Sequence, residues 1–430
     1  MLDLVVRHAT LPDGRRDMDI ACLDGRIVEL AAKIEAPQAA LEIDAAGCLV
    51  TPPFVDSHFH LDSTLSYGRP RVNRSGTLLE GIAIWGEFAE TISADDVKAR
   101  ARTLCHWAIA RGNLAIRSHV DVSNPELVAV RALLELREEL QPYLDLQLVA
   151  FPQEGYLRNP DARAALTAAL DLGVDVVGGI PHFERSMAEG GRSVTLLCEL
   201  AAERGLPVDL HCDESDDPLS RHIETLARET VRLGLQGRVA GSHLTSMHAM
   251  DDSTVSKLLR LMQEGQVHAI ANPLINITLQ GRHDAHPKRR GMTRVKEMMD
   301  CGINVSFGHD CVLDPWYALG SHDMLEVAHM GLHVAHMTGI DEMRACFDAV
   351  TDNGARTLGL EHYGLEAGCH ADMVVLQASD TIEALRTHPA RLHVIRRGRV
   401  IASTPRSTAT LTLGDHQVEV DFAAPRTDSI

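Results

Sequence analysis

The stretch CLVTPPFVDSHFH, residues 48–60, is an apolar run that ends on two histidines spaced two apart. In an extended strand, residues i and i+2 project to the same face, so His58 and His60 can grip one ion together. An HxH pair alone is a weak signal, and two surface histidines are the bland alternative. The remainder of the chain decides between them.

From residue 47 the sequence repeats one scheme, in which a short apolar run ends in polar residues and an amphipathic stretch leads to the next run. After 48–60 the runs are NLAIRSHVD (113–121), LQLVAFPQE (146–154), VDVVGGIPH (174–182), LPVDLHCDE (206–214), RVAGSHLT (238–245), HAIANPLIN (268–276) and INVSFGHD (303–310). Between them lie helix-like segments such as 125–140, 162–173 and 192–205, several ending at glycine. Eight such alternations predict an α/β fold, a TIM-like (β/α)8 barrel. Almost every run carries its His, Asp, Glu or Gln at the C-terminal end, the face on which such barrels place chemistry.

The flanks read differently. Residues 1–50 and 365–430 show short alternating strands broken by Gly and Asp, and neither flank makes a comfortable domain alone. The economical arrangement is a composite β-sandwich from both chain ends beside a catalytic barrel over 51–364. The closing AAPRTDSI reads as a mobile tail.

The chain has 430 residues, 45% of them hydrophobic, enough for a large core. No basic segment precedes a long apolar stretch at its start, and no window reaches the roughly 18 apolar residues of a membrane span. A net charge of −19 argues against nucleic acid or an anionic membrane as partner. The one dense basic stretch, HPKRRGMTRVK (286–296), reads as a solvated loop and helix face. Nine scattered cysteines without a CxxC pair suggest reduced thiols in a cytoplasmic protein, and they exclude the His/Cys/Cys deaminase pattern. Any metal must then be held by histidine and carboxylate.

His211 closes the fifth run and Asp310 the eighth, so His58, His60, His211 and Asp310 can converge near the barrel axis. That donor set suits Zn²⁺ or Fe²⁺. No lysine ends the fourth run, which argues for one ion and not a bridged pair. Glu214, three residues past His211, is placed as a proton shuttle, and His243, ending the sixth run, can steady negative charge.

The motifs HFHLD, SGTLLEGI, HVDVS, FPQEG, GGIPHFE, HCDE, ANPLIN, LQGR, PKRRGMTRVKEM and FGHD with DPWYALG closely resemble those of bacterial cytosine deaminase, in the amidohydrolase superfamily. The likeness runs from about residue 45 to 400. It implies that His58, His60, His211 and Asp310 bind the metal, that Glu214 and His243 form the catalytic pair, and that Gln153 reads the pyrimidine's carbonyl and ring nitrogen; the development of charge then gives Asp310 the proton of the attacking water. Trp316 and Leu78 resemble pocket walls, and a homo-oligomer is a family expectation.

Cys311 departs from the pattern, which has a second aspartate there, near the amino group and C5 edge of the ring. A thiol removes a charge and volume, so the wall tolerates an apolar substituent. The expected reaction is therefore deamination of 5-methylcytosine to thymine, with cytosine also accepted. Rival readings are an ordinary cytosine deaminase, a deaminase of isocytosine, isoguanine or a triazine, a ring-opening amide hydrolase, and a non-catalytic ligand-binding relative.

Overall fold

The computed structural model describes residues 1–35 and 39–424, so residues 425–430 of the expected tail lie outside the described residues. The chain opens with β1 (Leu2–Ala9), β2 (Met18–Leu23), β3 (Arg26–Ala31) and β4 (Ala39–Asp44), which pair in the order β3-β2-β1-β4. The next strand, β5 (Leu49–Thr51), leaves that sheet and joins three C-terminal strands, β14 (Met373–Leu376), β15 (Arg391–Arg396) and β16 (Arg399–Ser403). Alternation buries one face of each sheet, and Leu4, Val6, Ile20 and Ile27 of the first meet Val50, Met373 and Ile395 of the second in one core.

Two residues after β5 begins the first of eight parallel strands: β6 (Phe54–Phe59), β7 (Asn113–Asp121), β8 (Asp145–Phe151), β9 (Val176–Gly179), β10 (Val208–Cys212), β11 (Val239–His243), β12 (His268–Ala271) and β13 (Val305–Phe307). They are hydrogen-bonded in chain order. Each of the eight apolar runs holds one of them. The strands are nearly all buried, as expected when helices such as α2 (Ala94–Ala110), α3 (Val128–Leu140), α5 (Met187–Arg204), α6 (His222–Leu233) and α7 (Asp252–Gly265) cover the outside.

Helix boundaries differ by a few residues where capping overrides composition. The helix expected from 125 begins at Val128, because Leu127 takes a left-handed backbone, φ 53°. The one expected from 192 begins at Met187, because the Ser186 side chain accepts from the Glu189 amide and caps it. Residues 409–414, counted among the sandwich strands on their alternation, pair elsewhere. There β17 (Ala409–Leu413) meets only β18 (His416–Val420) in a separate hairpin. Its side chains are mostly exposed, so it has no apolar face to draw it onto either sheet.

The eight-stranded sheet closes where its last strand meets its first. The Asp310 amide donates to the His58 carbonyl at 2.8 Å, and the His60 amide donates to the Asp310 carbonyl at 3.1 Å. Gly308 makes this approach possible, since a Cβ there would stand 2.4 Å from Asn272 Oδ1 and 2.6 Å from His58 Cβ. Across the interior, Arg117 donates to Asp209 at 3.0 Å, to Gln147 at 2.6 Å and to the Thr357 carbonyl at 3.0 Å. This buried, paired charge forms a polar floor beneath the strand ends. Among the described residues no helix is long and apolar enough to cross a membrane. All nine cysteines are free thiols.

Gly308→Ala is expected to destabilise the fold by about 1–3 kcal/mol through overpacking at the closure. A chemical-denaturation midpoint equal to that of the native protein would refute this account of the seam.

Candidate active site

His58 sits on β6 and His60 just past its end. His211 is on β10, and Asp310 lies beyond the end of β13. Closure of the barrel brings these strand ends together. His60 Nε2 lies 3.0 Å from His211 Nε2, and Asp310 Oδ1 lies 3.4 Å from His58 Nε2 and 3.5 Å from His60 Nε2. All four residues are buried.

Both ring nitrogens of His58 and Nδ1 of His211 find no hydrogen-bond partner among the described residues. Buried polar atoms without partners are costly, and imidazole nitrogens facing one another at hydrogen-bond distance call for a shared cation. Burial also pulls His58 and His60 down to about 3 and His211 well below the usual imidazole value. The rings are thus neutral, with lone pairs free to ligate. Nitrogen donors with one carboxylate fit a divalent ion of the Zn²⁺ or Fe²⁺ kind.

Candidate ligand atoms within 4.8 Å of one another fall into three overlapping trios among the described residues, and His58 belongs to each. One joins His60 and Asp310 and another His211 and His243. The third joins His119 and Asp209, two residues to which the sequence alone assigned no role. His119 lies two residues before the end of the second run, and its ring comes within 4.2 Å of that of His58 only in the folded barrel.

Glu214 and His243 stand beside this cluster, with His243 Nδ1 3.6 Å from Glu214 Oε1 and 3.8 Å from Asp310 Oδ2. Asp213 and Glu214 are chain neighbours with opposite settings. Burial, and then the Asp310 charge, push Glu214 well above the carboxylate range, which favours its protonated form. Burial alone would raise Asp213 as well, but His222, the amides of His222 and Ile223 and the Ser220 hydroxyl all donate to it, and it falls to about 2. The ionised Asp213 fixes the turn that carries Glu214, and it starts α6.

Asn276 was also missed. Its oxygen accepts from the Asn272 amide at 3.0 Å, which turns its nitrogen toward His243 Nδ1, also at 3.0 Å. That donor makes Nδ1 an acceptor and leaves the ring proton on Nε2. The ANPLIN motif exposed both asparagines, but nothing in their spacing showed which histidine they would meet.

Gln153, Leu78, Trp316 and Cys311 line a cavity of about 360 Å³, together with Glu214, His243, His60, His211 and Asp310; His58 lies behind it. Trp316 seats against Gly81 of α1 (Leu78–Ala89), where a Cβ would come within 2.3 Å of the indole. Cys311 is 4% exposed and packs with Ile275 and Leu279, with Leu78, Trp316 and Tyr317 around them. Its Sγ is 3.8 Å from Asp310 Oδ1, and burial pushes the thiol well above its usual pKa. It is therefore a neutral wall group and not a thiolate ligand.

The basic stretch 286–296 is spent internally. Arg289 pairs with Asp284, Arg294 with Asp252 and Glu297, and Lys296 with Glu342.

Parallel strands whose C-terminal ends gather histidines and carboxylates within 4.8 Å of one another define a barrel hydrolase of the metal-dependent class. The chain belongs to the amidohydrolase family, hydrolases of carbon–nitrogen bonds, whose profile matches residues 41–403. A crystal structure of 5-methylcytosine deaminase from Klebsiella pneumoniae liganded with 5-fluorocytosine superposes with a TM-score of 0.91 at 42% identity, covering 93% of this chain and 98% of that one. N-isopropylammelide isopropyl amidohydrolase from Pseudomonas sp. (strain ADP) is 29% identical over 93% of this chain and 97% of its own length. Pterin deaminase from Rhizobium rhizogenes is 28% identical over 90% and 89%.

The purified protein is expected to carry about one divalent ion per subunit, and His211→Ala to lose most of it, because it removes one of the three nitrogen donors and leaves an enlarged, poorly shaped site. Elemental analysis after gel filtration checks this, and full occupancy in His211→Ala would remove that residue from the ligand set.

Proposed function

We propose that this protein deaminates free aminopyrimidines, with 5-methylcytosine the preferred substrate, giving thymine and ammonia, and cytosine a second one. The observation that carries the reading is Cys311. It is a neutral thiol set among Ile275 and Leu279, in the same cavity as the Glu214, His243 and Asp310 cluster. The 42% identity to a 5-methylcytosine deaminase supports it.

In this reading His58, His60, His211 and Asp310 hold one divalent ion, zinc or iron. Such an ion acts as a Lewis acid and brings the pKa of a coordinated water toward neutrality. Gln153 aligns the ring by its carbonyl and adjacent nitrogen. Asp310 takes a proton from the attacking water, and Glu214, held protonated by burial, gives one to the ring nitrogen beside the reacting carbon. His243, beside Glu214 and Asp310, steadies the oxygen as charge develops there. Asp310 then passes its proton to the exocyclic amine, the carbon–nitrogen bond breaks and ammonia leaves, while the hydroxyl proton returns to Glu214 as the new carbon–oxygen bond becomes the product carbonyl.

A methyl group buried at the Cys311 wall gains about 0.8 kcal/mol, or roughly fourfold, before any cost of crowding a carboxylate is counted. The cavity has about 360 Å³, and relatives are an N-isopropylammelide amidohydrolase and a pterin deaminase, so other amino-heterocycles are the second reading. Free thiols throughout support a reducing, cytoplasmic setting, and the reading includes a homo-oligomer.

Glu214→Gln should retain the metal and lose at least about 10²-fold in kcat; native turnover would remove Glu214 from the chemistry. Cys311→Asp should lower the ratio of kcat/KM for 5-methylcytosine over cytosine by at least about fourfold, measured by ammonia release, and an unchanged ratio would end the specificity argument.

A further inference from the structure

Behind Asp310 and Cys311 lies a buried group that the chemistry above does not use. His309 and His322 stack at 5.6 Å with an interplanar angle of 7°, and both are fully buried, as is Asp56 on β6. Asp56 Oδ1 accepts from the His58 amide at 3.2 Å and from the His309 amide at 3.0 Å, so one carboxylate oxygen ties the two edges of the barrel together beside the ligands. Asp56 Oδ2 faces His322 Nε2 at 3.1 Å.

The tautomer of His309 is set by its partners. The His322 amide donates to His309 Nε2 at 3.2 Å, which requires a lone pair there. The proton must then sit on Nδ1, and it is donated to the Cys311 carbonyl at 3.0 Å. One imidazole thus grips both ends of the 311–322 loop. The loop wraps it closely, and a Cβ on Gly320 would stand 2.7 Å from its ring. Asp310, between His309 and Cys311, has a left-handed backbone with φ 69°, a conformation that costs energy unless its surroundings enforce it.

We propose that His309, backed by Asp56 and His322, is a positioning residue that sets the metal-ligand carboxylate of Asp310 and the substrate wall of Cys311 together. Metal retention and the preference at C5 of the ring are then coupled through one side chain that touches neither. The second of these effects rests on the role given to Cys311 above; the first does not.

The test compares His309→Phe and His309→Asn with the native protein, with His268→Phe as control. His268 is also a buried imidazole, at the N-terminal end of β12 and away from the site. The readouts are the rate at which a chelator strips the metal and the kcat/KM ratio of 5-methylcytosine to cytosine. His309→Phe, which loses both hydrogen bonds, should release metal at least about tenfold faster and move the ratio toward that of Cys311→Asp. His309→Asn, whose amide nitrogen can stand where Nδ1 stood, should recover part of both. Should the phenylalanine variant not fold, His309→Gln, which keeps an acceptor for the His322 amide and drops the donor to Cys311, takes its place with the same expectation.

Native metal release in a folded His309 variant overturns the proposal. So does an equal effect in His268→Phe, since general loosening would then explain it. If Cys311→Asp leaves the ratio unchanged, the Cys311 reading fails on its own, and the chelator rates alone still judge His309.

Discussion

The backbone hydrogen bond from Asp310 to His58 closes the barrel, and the site depends on it. Without that seam the first and last strands would be free edges, and His58 and His60 would have no reason to meet Asp310. Gly308 permits the approach by having no side chain, and Asp56 secures it with one carboxylate oxygen shared between the two edges. Placing candidate metal ligands on the seam couples the integrity of the fold to the geometry of the site. The sandwich contributes to the same end, because β5 delivers the chain to β6 within two residues and Arg396 pairs with Asp145 at the start of β8.

Burial then sets the charge states, and it acts in two directions. The same removal of water that leaves the histidines neutral, and so able to ligate, also favours a protonated Glu214. Where an ionised group is needed, the protein supplies donors, as the four donors around Asp213 demonstrate. Arg117 and Asp209 place a full ion pair beneath the cluster, and its cost is offset because Ser242, Gln147 and the Thr357 carbonyl satisfy the remaining hydrogen-bonding groups.

Much of this was legible in the chain. The eight runs each hold a strand, because parallel strands covered on both faces must be continuously apolar and barrel chemistry collects at their C-terminal ends. His58 and His60 could be paired from a spacing of two, and the donor set excluded cysteine ligation. Helix starts were less legible, since Ser186 and Leu127 act through capping and backbone conformation that hydrophobic periodicity does not record. Strand-like alternation at 409–413 suggested a sandwich strand, but its apolar side chains are too few and too exposed to hold it there.

The sequence by itself determined the barrel, the residue types from which a metal site can be built, and the anomaly of a thiol beside Asp310. These are local properties of composition and period, and they survive without coordinates. Only the tertiary structure decided which buried groups face one another. It set His119 against His58, turned Asn276 onto His243, and placed His309 between Cys311 and His322. Such contacts join residues from different strands and loops, and no spacing along the chain encodes the distance between them.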